Sequence, residues 1–439
     1  MRRGRRASGA DEGEDLLRGT FRATIDAIGR RSAAAAPEPG RRRERRVGPA
    51  KDVLRVVDRG GVLFLEAAAD AGAPGPVRRR RLGPLEPGTR VVAEVPFERL
   101  ERSQITSALD TLDTRLGAAR DLRELRAGRL IPIARPRTSG RVLLLIHGTF
   151  SSGDNLVAEF HATGYGREFL AGAERSYDQV LTFDHPTLGV SPILNARRLA
   201  QLLAGSRAHV DVIAHSRGGL VARWWAEVFD RAPAGARRRL VLVGAPLAGT
   251  GLAAPPNLRE GLSLLANVGR ALGGVAGLAS AAVPFLTVAS GLFQVFASVT
   301  SLLAATPVVD AAIALVPGLA AMSRVSNNPE LLSLRLAPAG RTVYRAVQAN
   351  FETEDPGWAF WRRFRRLPEA AAAAVFDGPN DLVVDTASMA ELGPGRRLRP
   401  GDVLDFGRTS EVHHCSYFRH ERTLRFLERE LTRQASRRG

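Results

Sequence analysis

Residues 210–223 read Val-Asp-Val-Ile-Ala-His-Ser-Arg-Gly-Gly-Leu-Val-Ala-Arg. This is a buried-strand pattern that runs into Ser216 and passes at once into a helical one. A serine on so sharp a strand-to-helix turn needs small residues two positions to either side, because strand and helix close on each other there. Ala214 and Gly218 occupy those positions. The helix that follows aims its N-terminus at the serine, where its dipole favours developing negative charge. The chemistry this suits is nucleophilic: Ser216 Oγ attacks a carbonyl, with the Arg217 backbone N–H as one donor to the oxyanion. A turn serine that only caps a helix is the plainer alternative.

A second stretch, residues 143–153, reads Leu-Leu-Leu-Ile-His-Gly-Thr-Phe-Ser-Ser-Gly. An apolar strand ends in His147-Gly148, and a glycine there lets backbone come close to a substrate. The Thr149 amide is then the second expected oxyanion donor. A strand-end turn in which His147 is satisfied locally is the alternative.

With a third piece, Val243-Gly-Ala-Pro-Leu-Ala-Gly-Thr250, the stretch from about 140 to 430 resembles the lipase-type α/β-hydrolases. Ala-His-Ser216-Arg-Gly matches their Gly-x-Ser-x-Gly elbow with alanine in place of the first glycine. Residues 244–250 are similar to the Gly-x-Pro-x-x-Gly-[Thr/Ser] turn of many lipases and lipid acyl hydrolases. The resemblance implies a catalytic order of Ser…Asp…His along the chain. Its Asn-Asp-x-x-Val acid loop falls on Asn380-Asp381-Leu382-Val383-Val384, which implies Asp381 as the acid, with Asp377 and Asp385 as rivals. Its terminal loop falls on His413-His414-Cys415-Ser416-Tyr417 and favours His414 over His413 as the base. Cys415 reads as a small buried filler, because nothing beside it forms an elbow or supplies a separate base. The implied activity is ester hydrolysis through a covalent serine ester, with a hydrophobic acyl or lipid ester as substrate. An acyltransferase with the same triad, and a non-catalytic scaffold that binds a membrane or a partner, are the other two readings.

The elements that must position these residues follow from periodicity. Apolar runs at Val142–Ile146, Val180–Phe183, Val210–Ala214, Leu240–Gly244, Val343–Val347 and Val403–Phe406 alternate with helical stretches. Such alternation predicts an α/β fold, a mostly parallel sheet with helices on both faces. Arg419–Gln434 reads as the last helix packed on that sheet. Before it, residues 51–135 read as a small accessory α+β module: a hairpin about Gly60-Gly61, a strand at Val91–Val95 and helical periodicity over 103–126. Residues 1–50, rich in Arg, Ala, Gly and Pro, read as a mobile tail, with a short helix near Leu16–Ile28 as its one ordered candidate. The hydrolase domain is then 136–439.

No charged residue occurs from Ala271 to Val309. Pro284, Pro307 and Pro317 divide this stretch, and Thr287, Ser290, Gln294, Ser298 and Ser301 recur at helical spacing. A lid inserted at about 255–325 is the expectation, ahead of a structural apolar cap or a membrane hairpin.

Composition bounds the rest. At 439 residues, 44% hydrophobic and 25% charged, the chain is ordinary globular protein. Its single cysteine excludes an intrachain disulfide and any multi-cysteine metal cluster. No phosphate-loop motif is present, and His161 and His185 lack a second ligand at metal spacing, so no cofactor or metal is implied. All but one of the 63 basic residues are arginine, which points to a coding bias as the main source of the +18 net charge. A peripheral contact with anionic membrane fits that charge. Nucleic acid does not: aromatics are 6% of the chain and do not interleave with the basic runs at 41–46 and 78–81. The N-terminus shows no apolar signal region, which makes the cytoplasm the default location.

Overall fold

In a computed structural model of the chain, Leu17, Phe21, Ile25 and Ile28 fall on one face of a helix, α1 (Gly9–Ala34), and are buried. The structure describes residues 9–34, 51–69, 85, 87–117, 121–233, 235–253, 258–274, 279–302, 316–324, 328–338, 340–355, 358–366, 376 and 378–432. Spacings of four, four and three residues place those side chains on a single stripe. Much of the expected tail is therefore an amphipathic helix with a buried face, a correction to the reading from composition.

The hairpin forms as expected. Strands β1 (Lys51–Arg59) and β2 (Val62–Ala69) meet at Gly60 and Gly61, both at positive φ, and β3 (Thr89–Glu98) pairs antiparallel on the other side of β1. Helix α2 (Arg102–Arg115) follows and stops before Gly117, which has φ 77. Its periodicity was expected to run on to 126, but Asp121–Arg126 is a strand, β4, antiparallel to β5 (Arg129–Pro132). Leu122 and Leu125 are three apart, a helical spacing, and the strand forms because Asp121–Arg126 pairs with β5 and with the Gln179–Asp184 strand.

The chain divides into two units, and the division differs from the expected one at three places. One unit draws its residues from Met1–Leu116, Pro255–Val316 and Glu354–Ala372; the other draws them from Gly117–Ala254, Pro317–Thr353 and Ala373–Gly439. The accessory module thus ends at 116 instead of 135, because β4 and β5 join the sheet of the second unit.

That sheet has eight strands. β6 (Arg141–Ile146), β7 (Gln179–Asp184), β8 (His209–His215), β9 (Arg238–Val243), β10 (Val343–Phe351) and β11 (Val403–Thr409) run parallel, in the order β11-β10-β9-β8-β6-β7-β4-β5. β8 and its neighbours β6 and β9 are apolar nearly throughout because both faces of the sheet are covered. Each parallel strand leaves its C-terminal end on the same edge, and the loops that carry chemistry leave from there. The short helix after β8, α3 (Gly218–Trp224), is entirely buried.

The uncharged stretch lies in the first unit. Helices α4 (Leu258–Gly273) and α5 (Ala279–Leu302) pack against each other and against α1, with α2 also on α5 and β2 also on α4. Leu286, Val288, Ala289 and Leu292 are fully buried. The weakly polar face of α5 is buried too. Ser290 Oγ donates to the Leu286 carbonyl at 2.9 Å, Gln294 Nε2 donates to the Glu98 carbonyl at 3.0 Å, and Ser298 Oγ accepts the Leu100 N–H at 2.9 Å. On α4, the Asn267 amide exchanges two hydrogen bonds of 2.9 Å with the backbone of Leu63, pairing the free edge of β2. The described part of the segment expected as a lid supplies core helices of this unit, the apolar residues of α5 buried and its weakly polar face bonded to backbone. Among the described residues no helix is long and apolar enough to cross a membrane.

Candidate active site

Ser216 ends β8 and precedes α3 with φ 53, a left-handed conformation rare for a residue with a side chain. Its N–H donates to the Val243 carbonyl at 2.8 Å, which fixes the turn to the neighbouring strand, and its carbonyl accepts the Gly219 N–H at 2.9 Å. Crowding explains the small neighbours. A Cβ on Gly218 would stand 2.6 Å from the carbonyl oxygens of Ile146 and His147, and one on Gly148 would stand 2.7 Å from Ser216 Cβ. The backbone of the loop after β6 therefore lies directly against the serine.

His414 stands in the loop after β11 with Nε2 2.9 Å from Ser216 Oγ and Nδ1 2.8 Å from Asp381 Oδ2. Its backbone is held at both ends: its N–H donates to the Asp381 carbonyl at 2.9 Å, and its carbonyl accepts from His215 Nε2 at 2.9 Å. That second bond sets the His215 tautomer, and His215 stays neutral, with burial and the charge of His414 pushing its pKa down to about 3.

Asp381 is fully buried and accepts four hydrogen bonds. Oδ1 takes the N–H groups of Val383 (3.1 Å) and Val384 (2.9 Å); Oδ2 takes His414 and the Tyr417 hydroxyl (2.9 Å). Burial alone pushes its pKa up, but the charge of His414 and the hydrogen bonds from His414, Val384 and Tyr417 outweigh it and hold the carboxyl below its usual range. The Gly-x-Pro-x-x-Gly-Thr turn supports this loop directly, since Thr250 Oγ1 donates to the Val383 carbonyl at 2.5 Å.

The rivals go elsewhere. Asp385 pairs with Arg324 at 3.6 Å, and Asp377 lies outside the described residues. His413 Nδ1 accepts the Cys415 N–H at 3.3 Å, its ring stands edge-on to Phe351, and burial pushes its pKa down to about 3. The Cys415 thiol is pushed up by desolvation and by the Glu159 and Asp381 carboxylates, which leaves it no thiolate to attack with.

Arg217 and Thr149 leave the C-terminal ends of the adjacent strands β8 and β6. His147 bears on the second of them. Its Nε2 accepts the His185 N–H at 3.2 Å, so Nδ1 carries the ring proton and donates to the Gly148 carbonyl at 2.9 Å. In a trans peptide that carbonyl and the Thr149 N–H point in opposite directions, so holding one aims the other. Residue types at sequence level missed Tyr417, His215 and this role of His147. Tyr417 lies three residues past His414, in the 3-10 turn Tyr417–Arg419, a spacing that would have flagged it.

Chemically, a neutral His414 held by an ionised Asp381 can take the proton of Ser216 Oγ. A mostly parallel sheet with a strained serine at the end of a central strand, and an acid and a histidine following in that chain order, defines the α/β-hydrolase fold. The profile of a domain of unknown function, DUF7379, matches residues 119–432, and the chain belongs to that family. No curated protein matches it. Among solved structures, the chain is similar to the mature lipase BlEst2 of Bacillus licheniformis, at 16% identity over 69% of this chain and 96% of the other, TM-score 0.35. It is also similar to EstA of Clostridium botulinum (13%, over 71% and 93%, TM-score 0.38) and lipase 1 of Pelosinus fermentans (13%, over 63% and 94%, TM-score 0.37).

Proposed function

We propose that the protein is a serine hydrolase that cleaves carboxylic esters, with Ser216 as nucleophile, His414 as general base and then acid, and Asp381 as the group that orients and stabilises the imidazolium. The observation that carries this reading is the unbroken hydrogen-bonded chain from Ser216 Oγ through His414 to Asp381. His414 Nε2 takes the serine proton as Oγ attacks the ester carbonyl. The N–H groups of Thr149 and Arg217 receive the oxyanion, and His414 returns the proton to the leaving alcohol. Water then repeats the sequence on the acyl-enzyme and releases the acid. A hydrophobic acyl or lipid ester is the substrate proposed. Its support is the likeness of the Gly244–Thr250 turn to that of lipases and lipid acyl hydrolases.

A fluorophosphonate probe followed by peptide mass spectrometry tests the assignment. The expected adduct is on Ser216, absent in Ser216→Ala and in His414→Ala, with unfolding midpoints near wild type. No adduct on the folded wild-type protein, with or without detergent, rejects the reading. A series of p-nitrophenyl esters of increasing acyl length then tests the acyl preference.

A further inference from the structure

The end of the sheet opposite Ser216 is built from a different set of residues. Arg141, His209, Arg238 and Val343 begin β6, β8, β9 and β10, four adjacent parallel strands. Together with Arg237, Arg239, Arg341 and Asp211 they line a cavity of about 190 Å³. His209 and Ser216 bracket the same strand, so the two places are about 20 Å apart at the usual strand rise.

Charge is the unusual feature. Five guanidinium groups line the cavity against one carboxylate, Asp211. That carboxylate is already committed: it accepts from the Tyr177 hydroxyl at 2.7 Å and lies 3.4 Å from Arg141 and 3.7 Å from Arg239. Arg238 is turned to Asp230 at 2.7 Å and to the Ala208 carbonyl at 2.8 Å, which fixes its position as a rigid wall. Arg141 is held likewise by its stacking on the Tyr177 ring. Arg237 and Arg341, the other two lining arginines, are exposed. His209 Nδ1 accepts the Arg237 N–H at 3.1 Å, which leaves the ring proton on Nε2 as a neutral donor. Like charges held together in a recess repel, and a bound anion offsets that repulsion. Arginine forks match the geometry of phosphate oxygens, and the volume lies below the range of drug-sized ligand sites.

We infer that this arginine-lined cavity binds a small, multiply charged phosphate-type oxyanion, at a site separate from Ser216. The chemistry is the same for free phosphate or pyrophosphate and for a phosphomonoester lipid headgroup.

Calorimetric titration of the full chain with pyrophosphate at constant ionic strength tests this. One saturable site is expected, weakened about tenfold or more in Arg237→Gln/Arg341→Gln. The control Arg408→Gln/Arg425→Gln, on exposed arginines elsewhere in the same unit, should bind like wild type. Equal unfolding midpoints without ligand keep loss of fold out of the comparison. Co-sedimentation with phosphatidylcholine vesicles containing phosphatidic acid identifies the source. Sedimentation that pyrophosphate competes away and the cavity variant loses makes it a lipid headgroup; pyrophosphate binding with sedimentation indifferent to the variant makes it a free phosphate. Absence of a saturable site in wild type, or pyrophosphate binding as tight in the cavity variant, overturns the inference.

Discussion

All eight histidines of the chain lie in the unit built on the eight-stranded sheet, and none lies in the unit built on α1, β1–β3, α2, α4 and α5. The second of these holds most of the uncharged run from Ala271 onward, and the buried polar groups of α4 and α5 serve the backbone: Ser290 and Ser298 bond within their own helix, Asn267 to a strand edge. In the sheet unit the buried polar groups serve one another. Asp381, His414, His215 and Tyr417 form a single network that ends on a serine in a strained turn. The contrast teaches where a substitution should show. In one unit, removing a polar atom should change reactivity at little cost in stability; in the other, removing carbon should change stability.

The largest effect falls on the network. In Asp381→Asn the side-chain amide facing His414 Nδ1 favours the wrong imidazole tautomer, and labelling of Ser216 by the fluorophosphonate probe should slow on the order of 10⁴-fold. The unfolding midpoint should stay close to wild type. A rate within about tenfold of wild type would show that Asp381 does not orient the base.

Next comes carbon. Leu286 on α5 is fully buried between helices of the first unit. Leu286→Ala removes its methyl groups and leaves a cavity, at an expected loss of about 2–5 kcal/mol in urea unfolding. If the loss were under about 1 kcal/mol, α5 would not be the core element that its burial describes.

The same contrast governs how much was legible in the sequence. Six parallel strands and the serine elbow could be read because a strand buried on both faces is a continuous apolar run, and a nucleophile turn tolerates only small neighbours. Ser216, Asp381 and His414 lie within hydrogen-bond distance in series, serine to histidine to aspartate. What failed was the first unit. An uncharged run says that most of a helix is buried but not against what, and a lid and a core helix share that signature. Helix α1 was legible in part: a short helix near Leu16–Ile28 is expected within the Arg- and Ala-rich stretch, but not its full length or what its buried face packs against. Tyr417 and His147 were passed over for another reason: their roles depend on which atom bonds which carbonyl or carboxylate, and residue type carries no such information.

The smallest effect of a single substitution is read by pH, which also separates the two units. Burial pushes the His215 and His413 pKa values down to about 3 and that of His185 well below normal, whereas the unfolded chain titrates near 6.5. As pH falls below about 6.5 the unfolded state takes up protons that the folded state refuses. Stability contributed by these groups is therefore complete above that pH and falls by about 1.4 kcal/mol per pH unit for each histidine, down to the folded values. Asp381, with its pKa lowered, acts in the same direction only at more acid pH. In the first unit the Arg90 hydrogen bond holds Glu14 below the normal carboxylate range, so its contribution too is lost only in acid. Between pH 6.5 and 4.5 urea midpoints should drop for the sheet unit and stay level for the other, as read by hydrogen exchange of peptides from β8 and from α5. His413→Asn should reduce the slope of the sheet unit by one histidine's share, about 1.4 kcal/mol per pH unit. Equal slopes in the two units would mean that they unfold together and that the division in their chemistry has no counterpart in their stability.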